Sequence, residues 1–371
     1  MSNEILKKNI GKLGFGYMRL PQKDGGNDME QIIRMADAFI EGGGTYFDAA
    51  FVYQGAEVAL RESVIERYPR DSFQIATKLN SRFANSAQEA IEQHKTSLER
   101  LGTDYIDFYL IHGLNAGSAK RAEEFGIWDF FAQLKKDGRI GNMGFSFHGP
   151  PEELEEILTN HPEADFVQLQ INYVDWDSPD VQSRKQYEVA RKFNKPIAIM
   201  EPIKGGMLTG TESAFAEVLK AANPNISMAA WALRFAASLE GVYVTLSGMS
   251  HFDHVADNIS NFVDFKPLTK EEEAILEKAV EAFNTVPRIP CTECRYCVDD
   301  CPSEIQIPGL IGLYNDYLVY KTTTNLARRY GMLTRESGKA DECTSCKTCE
   351  GICPQQLEIS DTMEKIAEIF A

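Results

Sequence analysis

At 371 residues the chain is too long for one small domain, and 43% hydrophobic with 25% charged residues excludes a wholly disordered polypeptide. Its 38 Lys and Arg against 55 Asp and Glu give a formal charge of −17. That charge repels phosphate backbones and argues against nucleic-acid or anionic-membrane binding. No apolar run approaches the roughly 18 residues of a membrane helix. The segment Met1–Lys8 lacks the apolar core of a signal peptide, so a cytoplasmic protein is expected.

In chain order, strand-like apolar runs appear at Leu13–Tyr17, Thr45–Asp48, Phe73–Lys78, Ile106–Ile111, Ile140–Ser146, Phe166–Asn172, Pro196–Met200 and Val242–Leu246. Helical patterns such as Met29–Glu41, Ala87–Leu101, Glu152–Thr159 and Ser227–Ala237 lie between them. One apolar run roughly every 30–35 residues is the spacing of βα units. Eight such units predict an α/β fold, a (β/α)8 TIM barrel. The rival, a doubly wound open sheet, should begin with a glycine-rich turn leading straight into a helix. Gly11-Lys-Leu-Gly-Phe-Gly16 has no helix directly after it. A last helical pattern, Leu268–Phe283, precedes Val286-Pro-Arg-Ile-Pro290, whose two prolines mark a linker. The barrel is assigned to residues 1–285 and a small, mainly helical domain to residues 286–371.

All eight cysteines fall in that tail. Cys291, Cys294, Cys297 and Cys301-Pro are spaced as Cys343, Cys346, Cys349 and Cys353-Pro, each a C-x2-C-x2-C-x3-C-P run. This is the bacterial ferredoxin pattern for 4Fe–4S clusters, in which the fourth cysteine serves the other cluster. One cluster is therefore expected on Cys291, Cys294, Cys297 and Cys353, the other on Cys343, Cys346, Cys349 and Cys301. Two structural zinc sites would also use four cysteines each, but leave the third cysteine and the Cys-Pro unexplained. Leu310–Tyr320, between the two runs, reads as a helix.

Barrel chemistry sits at the C-terminal ends of strands. Asp48, Lys78 and His112 end consecutive runs, and Tyr53 follows Asp48 by five residues. Together they suit a proton donor for a carbonyl: an ammonium lowers a phenol's pKa, a carboxylate holds the ammonium, and an imidazole orients the substrate oxygen. Taken singly, Asp48 also reads as a helix cap, Tyr53 as packing, Lys78 as a solvated strand end and His112 as a loop histidine. Paired Gly205 and Gly206 could admit a pyrophosphate close to backbone, or simply make a turn. Trp128 and Trp231 read as core. Trp176 reads equally as substrate contact or packing, and His148 as a rim or solvated histidine.

Tyr46-Phe-Asp48-Ala-Ala-Phe-Val-Tyr53-Gln-Gly-Ala-Glu57, with Ala76-Thr-Lys78 and Tyr109-Leu-Ile-His112, resembles the aldo/keto reductase superfamily. With the cysteine tail, the whole chain is similar to its ferredoxin-fused group. The resemblance implies a catalytic tetrad of Asp48, Tyr53, Lys78 and His112, and a nicotinamide nucleotide across the barrel mouth. Ser146 and Gln168 would hydrogen-bond its carboxamide. Met200 stands where the family usually has an aromatic residue against the nicotinamide. Ser247, Gly248, Met249 and Ser250 match the segment that binds the nucleotide, and Asp257 and Asn258 match adenine contacts. Since Met249, Ser250 and His254 supply no fixed positive charge, a strict preference for NADP over NAD is not expected.

The expectation is an oxidoreductase that reduces a small-molecule aldehyde or ketone with NAD(P)H, with two 4Fe–4S clusters coupled to the barrel or stabilising it. Hydride transfer moves two electrons and a cluster one, so coupling calls for a relay such as a flavin, for which no linear signature is present. The alternatives are a flavin-dependent reductase, or an electron-transfer or interaction protein served by a ferredoxin or similar partner.

Overall fold

The computed structural model describes residues 10–371; the polar Met1–Lys8 segment lies outside the described residues. The chain forms two compact units, one of residues up to Pro202 with Ala230–Thr269, the other of Ile203–Ala229 with Lys270–Ala371. The helix Lys270–Thr285 groups with the second unit because it packs along Ala214–Ala222.

In the first unit eight parallel strands close into a barrel. They are β1 (Leu13–Gly16), β2 (Tyr46–Asp48), β3 (Gln74–Leu79), β4 (Ile106–Leu114), β5 (Ile140–Phe147), β6 (Phe166–Gln170), β7 (Ile197–Met200) and β8 (Val242–Ser247). Each strand pairs with its successor, and β1 closes the ring on β8. The eight expected runs are these strands, most trimmed or extended by one to three residues. Helices occupy the intervening segments where polar caps start them. Asp28 accepts the Gln31 amide ahead of Met29–Glu41, and Ser86 accepts that of Glu89 ahead of Ala87–Leu101. After β1 comes a short turn and a two-stranded hairpin (Gln22–Lys23 with Gly26–Asn27) before the first helix.

Side chains alternate along each strand between the barrel interior and the surrounding helices. Tyr46, Ala76, Phe108, Leu110, Phe166, Ala198 and Tyr243 fill the interior, where Phe108 and Tyr243 stack at 5.5 Å. Asp48, Lys78, His112 and Gln168 lie two, or for His112 two and four, positions further along the same strands. The period of two therefore aims them inward above that floor. Trp128 and Trp231 are buried, as expected of core residues. Trp176 packs edge-on against Phe235 and under the Arg184 guanidinium, which favours its packing role.

The second unit is helical among its described residues, with Ile307–Tyr320, Leu326–Leu333 and Ile359–Phe370 its longer tail helices. Among the described residues no helix is long and apolar enough to cross a membrane.

Candidate functional site

Lys78 is 1% exposed and Asp48 4%, so each charge requires a partner. The Lys78 ammonium donates to Asp48 Oδ1 at 2.5 Å and to the Ala49 carbonyl at 2.7 Å. Gln168 Nε2 donates to Asp48 Oδ2 at 3.2 Å. Asp48 thus spends both oxygens inside the barrel mouth rather than capping a helix. The half-buried Tyr53 ring lies 5.1 Å from Lys78 Nζ and meets His112 edge-on at 5.6 Å. The four residues expected to act together are in one place.

Their electrostatics differ from expectation in one respect. Burial raises the Tyr53 phenol above its ordinary pKa; Lys78 opposes this, while Asp48 and Glu201 add to it. Desolvation of the phenolate outweighs the ammonium because Asp48 already compensates that charge. Lys78 is held above its usual value: burial works against the ammonium, but Asp48 and the Tyr53 oxygen outweigh it. His112 is pushed down to about 3, chiefly by burial, then by Lys78, His148 and Arg82. Near neutrality the site holds a protonated phenol, a charged amine and a neutral imidazole whose Nδ1 is buried without a hydrogen-bond partner.

A local irregularity sets the His112 position. The β4–β5 register shifts between Ile111 and Leu114, and Gly113 there has a φ of 65°. Such a bulge re-aims the adjoining side chain. The Gly113 amide donates to Ser146 Oγ at 2.7 Å, leaving the hydroxyl hydrogen free to donate elsewhere.

The expected nucleotide contacts fare unevenly. Ser146 and Gln168 stand at the mouth beside the tetrad, and Met200 is half-buried at the end of β7. Asn258 Nδ2 is spent on Ser247 Oγ at 2.9 Å, and Met249 is buried in the core. The Ser250 amide donates to His254 Nδ1, Gly248 lies near Arg19, and the Asp257 carbonyl receives Ser260 and Asn261. Gly205 and Gly206 have φ of 63° and 93° and belong to the second unit, where a Cβ on Gly206 would meet Thr324 at 2.7 Å.

Sequence patterning missed several charges at the mouth. Arg19 pairs with Glu201 at 3.3 Å, and both act on Tyr53. Glu201 has a φ of 55°, a strained conformation just past β7 that was invisible in composition. Buried Glu57 accepts from Thr77 and Arg100, tying the Tyr53 loop to the outer face of β3. Arg82 lies beside Gly113.

In the second unit all eight cysteines are free thiols. Cys291, Cys294, Cys297 and Cys353 line one small cavity, and Cys301, Cys343, Cys346 and Cys349 another. The duplication is deeper than the cysteines. Each position has its counterpart 52 residues later, and positive φ recurs at Glu293, Arg295 and Glu304 as at Ser345, Lys347 and Gln356. Ile307, Pro308 and Ile311 correspond to Ile359, Ser360 and Met363, which begin the two matching helices. The signal was present in Cys301-Pro-Ser-Glu-Ile-Gln-Ile against Cys353-Pro-Gln-Gln-Leu-Glu-Ile. Left-handed residues between thiols are costly alone, but they make the backbone concavities that receive anionic groups, iron–sulfur clusters included. Burial pushes Cys297 and its counterpart Cys349 up to about 11. Four soft thiols around each cavity fit a polynuclear cluster.

Comparison with known proteins agrees with this fold. The chain is 27% identical over 267 residues to the 9,11-endoperoxide prostaglandin H2 reductase of Trypanosoma cruzi, covering 70% of this chain and 84% of that protein. It is 32% identical over 129 residues to an aldo-keto reductase of Mycolicibacterium smegmatis, covering 34% of this chain and 43% of that protein. The first curated relatives it matches are spanned for only 43% to 63% of their length. Among solved structures, the holo form of an aldo-keto reductase from Bacillus halodurans superposes with a TM-score of 0.61 at 25% identity, over 74% of this chain and 93% of that one. An aldo/keto reductase from Klebsiella pneumoniae in complex with NADP and acetate shares the fold, with a TM-score of 0.58 at 20% identity over 72% and 91% of the two chains. The aldo/keto reductase family model matches residues 12–281, and a 4Fe-4S dicluster domain matches residues 290–358. With its eight-stranded barrel and its duplicated cysteine runs, the chain belongs to the aldo/keto reductase family of oxidoreductases and carries a C-terminal 4Fe–4S dicluster domain.

Proposed function

We propose that the barrel reduces the carbonyl group of a small molecule with NADH or NADPH. The observation that carries this reading is the buried Asp48–Lys78 pair set against the Tyr53 ring, with neutral His112 at the ring edge. A nicotinamide held at the mouth beside Ser146 would supply the hydride that the carbonyl carbon receives. Tyr53, kept protonated by burial, gives its proton to the carbonyl oxygen as the π bond breaks, so that two electrons and two hydrogens are added in total. Lys78 stabilises the phenolate left behind, Asp48 holds Lys78 charged, and the phenolate regains its proton from water. His112, uncharged, orients the oxygen. The free hydroxyl hydrogen of Ser146 suits the nicotinamide carboxamide, while Gln168 anchors Asp48. The Klebsiella pneumoniae structure in complex with NADP supports a nicotinamide nucleotide as the cofactor.

In the tail, each cluster would be held by the four cysteines that share a cavity and would supply one-electron transfer. Cys294 and Cys346 are exposed, which suits exchange with an electron-carrying protein partner. Two cysteine runs that hold clusters rather than disulfides suit a reducing compartment such as the cytoplasm.

The test is Tyr53→Phe in cluster-loaded, full-length protein. Aldehyde reduction with NADPH or NADH should fall by at least about 100-fold while nucleotide binding, read by fluorescence, persists. Undiminished turnover would refute the assignment.

A further inference from the structure

Arg82 stands beside the tetrad with no assigned task. It lies in the short turn Ser81–Phe83 that follows β3, and the turn is fastened on several sides. Asn80, 2% exposed, exchanges two hydrogen bonds with the Gln93 amide, 2.8 Å and 2.9 Å long. The Asn80 side chain accepts the Arg82 amide at 3.0 Å, and the Arg82 carbonyl accepts from Arg121 at 3.1 Å. Arg82 is itself solvent-exposed, so these bonds fix where its backbone stands rather than burying its charge.

The guanidinium lies over the Gly113 backbone. A Cβ on Gly113 would meet Arg82 Nη2 at 2.5 Å and His148 Cδ2 at 3.9 Å. The cation is near enough to both His112 and His148 to act on each electrostatically. The other cations are compensated: Lys78 by Asp48 and Arg19 by Glu201. The Arg82 guanidinium makes no ion pair among the described residues. Both neighbouring imidazoles are held below their ordinary pKa, with Arg82 among the causes, so neither acts as a counter-charge nor adds a competing cation. In a chain of net charge −17, one uncompensated guanidinium beside the reacting group is a selective attractor for anions.

We propose that the barrel's substrates are carbonyl compounds bearing a carboxylate, and that Arg82 recognises that carboxylate beside His112. This rests on the carbonyl-reductase reading above and narrows its substrate class. A planar guanidinium offers two parallel N–H donors that match a carboxylate, whereas an ammonium offers a point charge. The reaction is unchanged: hydride goes to carbon, the Tyr53 proton to oxygen, and the carboxylate keeps its charge throughout.

The test compares matched probes on full-length, cluster-loaded protein. Wild type should turn over succinic semialdehyde with a KM at least about ten-fold below that of butyraldehyde. Arg82→Gln should raise KM for the semialdehyde about ten-fold more than for butyraldehyde, with Arg82→Lys between them. Equal treatment of the two aldehydes by wild type, or an equal effect of Arg82→Gln on both, overturns the proposal. So does a stronger preference for glycolaldehyde phosphate, which would make the site one for phosphate. Calorimetric binding of butyrate against butyramide separates this failure from failure of the reductase reading. If neither aldehyde is reduced, butyrate bound in preference, and lost in Arg82→Gln, still supports the carboxylate site, and indifference to the charge overturns it.

Discussion

The Lys78 ammonium lies 5.1 Å from the centre of the Tyr53 ring, yet its hydrogen bonds go to Asp48 and the Ala49 carbonyl. Lysine therefore acts on the phenol through space, and Asp48 keeps that field in place. Lys78→Met would leave the Asp48 carboxylate buried with only the Gln168 amide. We expect about 3–5 kcal/mol of lost stability in urea melts, as when one member of a buried pair is removed. Carbonyl reduction per folded molecule should fall by about 100-fold or more.

His94 supplies an acid-sensitive element away from the tetrad. Burial, and to a smaller degree Arg139, pushes its imidazole down to about 4, and its Nδ1 is buried without a partner. An unfolded histidine titrates near 6.5. Between those values the unfolded chain takes up a proton that the folded chain refuses. The stability is therefore complete above pH 6.5 and is lost as pH falls towards 4, by about 3 kcal/mol in full. Urea midpoints measured from pH 7 to 4.5 should fall less steeply in His94→Leu than in wild type.

The shared cavities predict which cysteines behave alike. Cys353→Ser should disturb the same cluster as Cys291→Ser and spare the one lost in Cys343→Ser, despite lying ten residues after Cys343. Electron paramagnetic resonance of the reduced proteins, with iron content falling by roughly half in each variant, reads the grouping directly. A Cys353→Ser spectrum matching that of Cys343→Ser would show that each loop ligates its own cluster.

Gly206 combines a φ of 93° with close approach to Thr324. Gly206→Ala should cost about 1–2 kcal/mol through its left-handed backbone alone, read as a lower Tm. Adding Thr324→Ala should recover the part due to crowding and leave the backbone part.

The barrel was legible because its strands repeat every βα unit and because period-two alternation leaves inward positions identifiable at strand ends. Asp48, Lys78 and His112 could be found that way. The cysteine runs were legible for a different reason, since cluster ligands sit on one tight loop at short, fixed spacing. The extension of the duplication through Ile307 and Ile359 was written in the chain but obscured by substitutions such as Pro308 for Ser360 and Ile311 for Met363.

What the sequence by itself determined, then, was local and periodic: eight βα units, the residues that end their strands, and two cysteine loops with the proline after each. Tertiary structure alone decided the rest. The direction of the Tyr53 shift depends on desolvation, a property of everything packed around the ring and of no single neighbour. The placement of Arg82 beside His112 depends on a bulge at Gly113 and on a turn pinned by Gln93 and Arg121, contacts spanning up to about forty residues of chain. Spacing names the donors, and only closure of the chain in three dimensions sets the charges and partners that each of them meets.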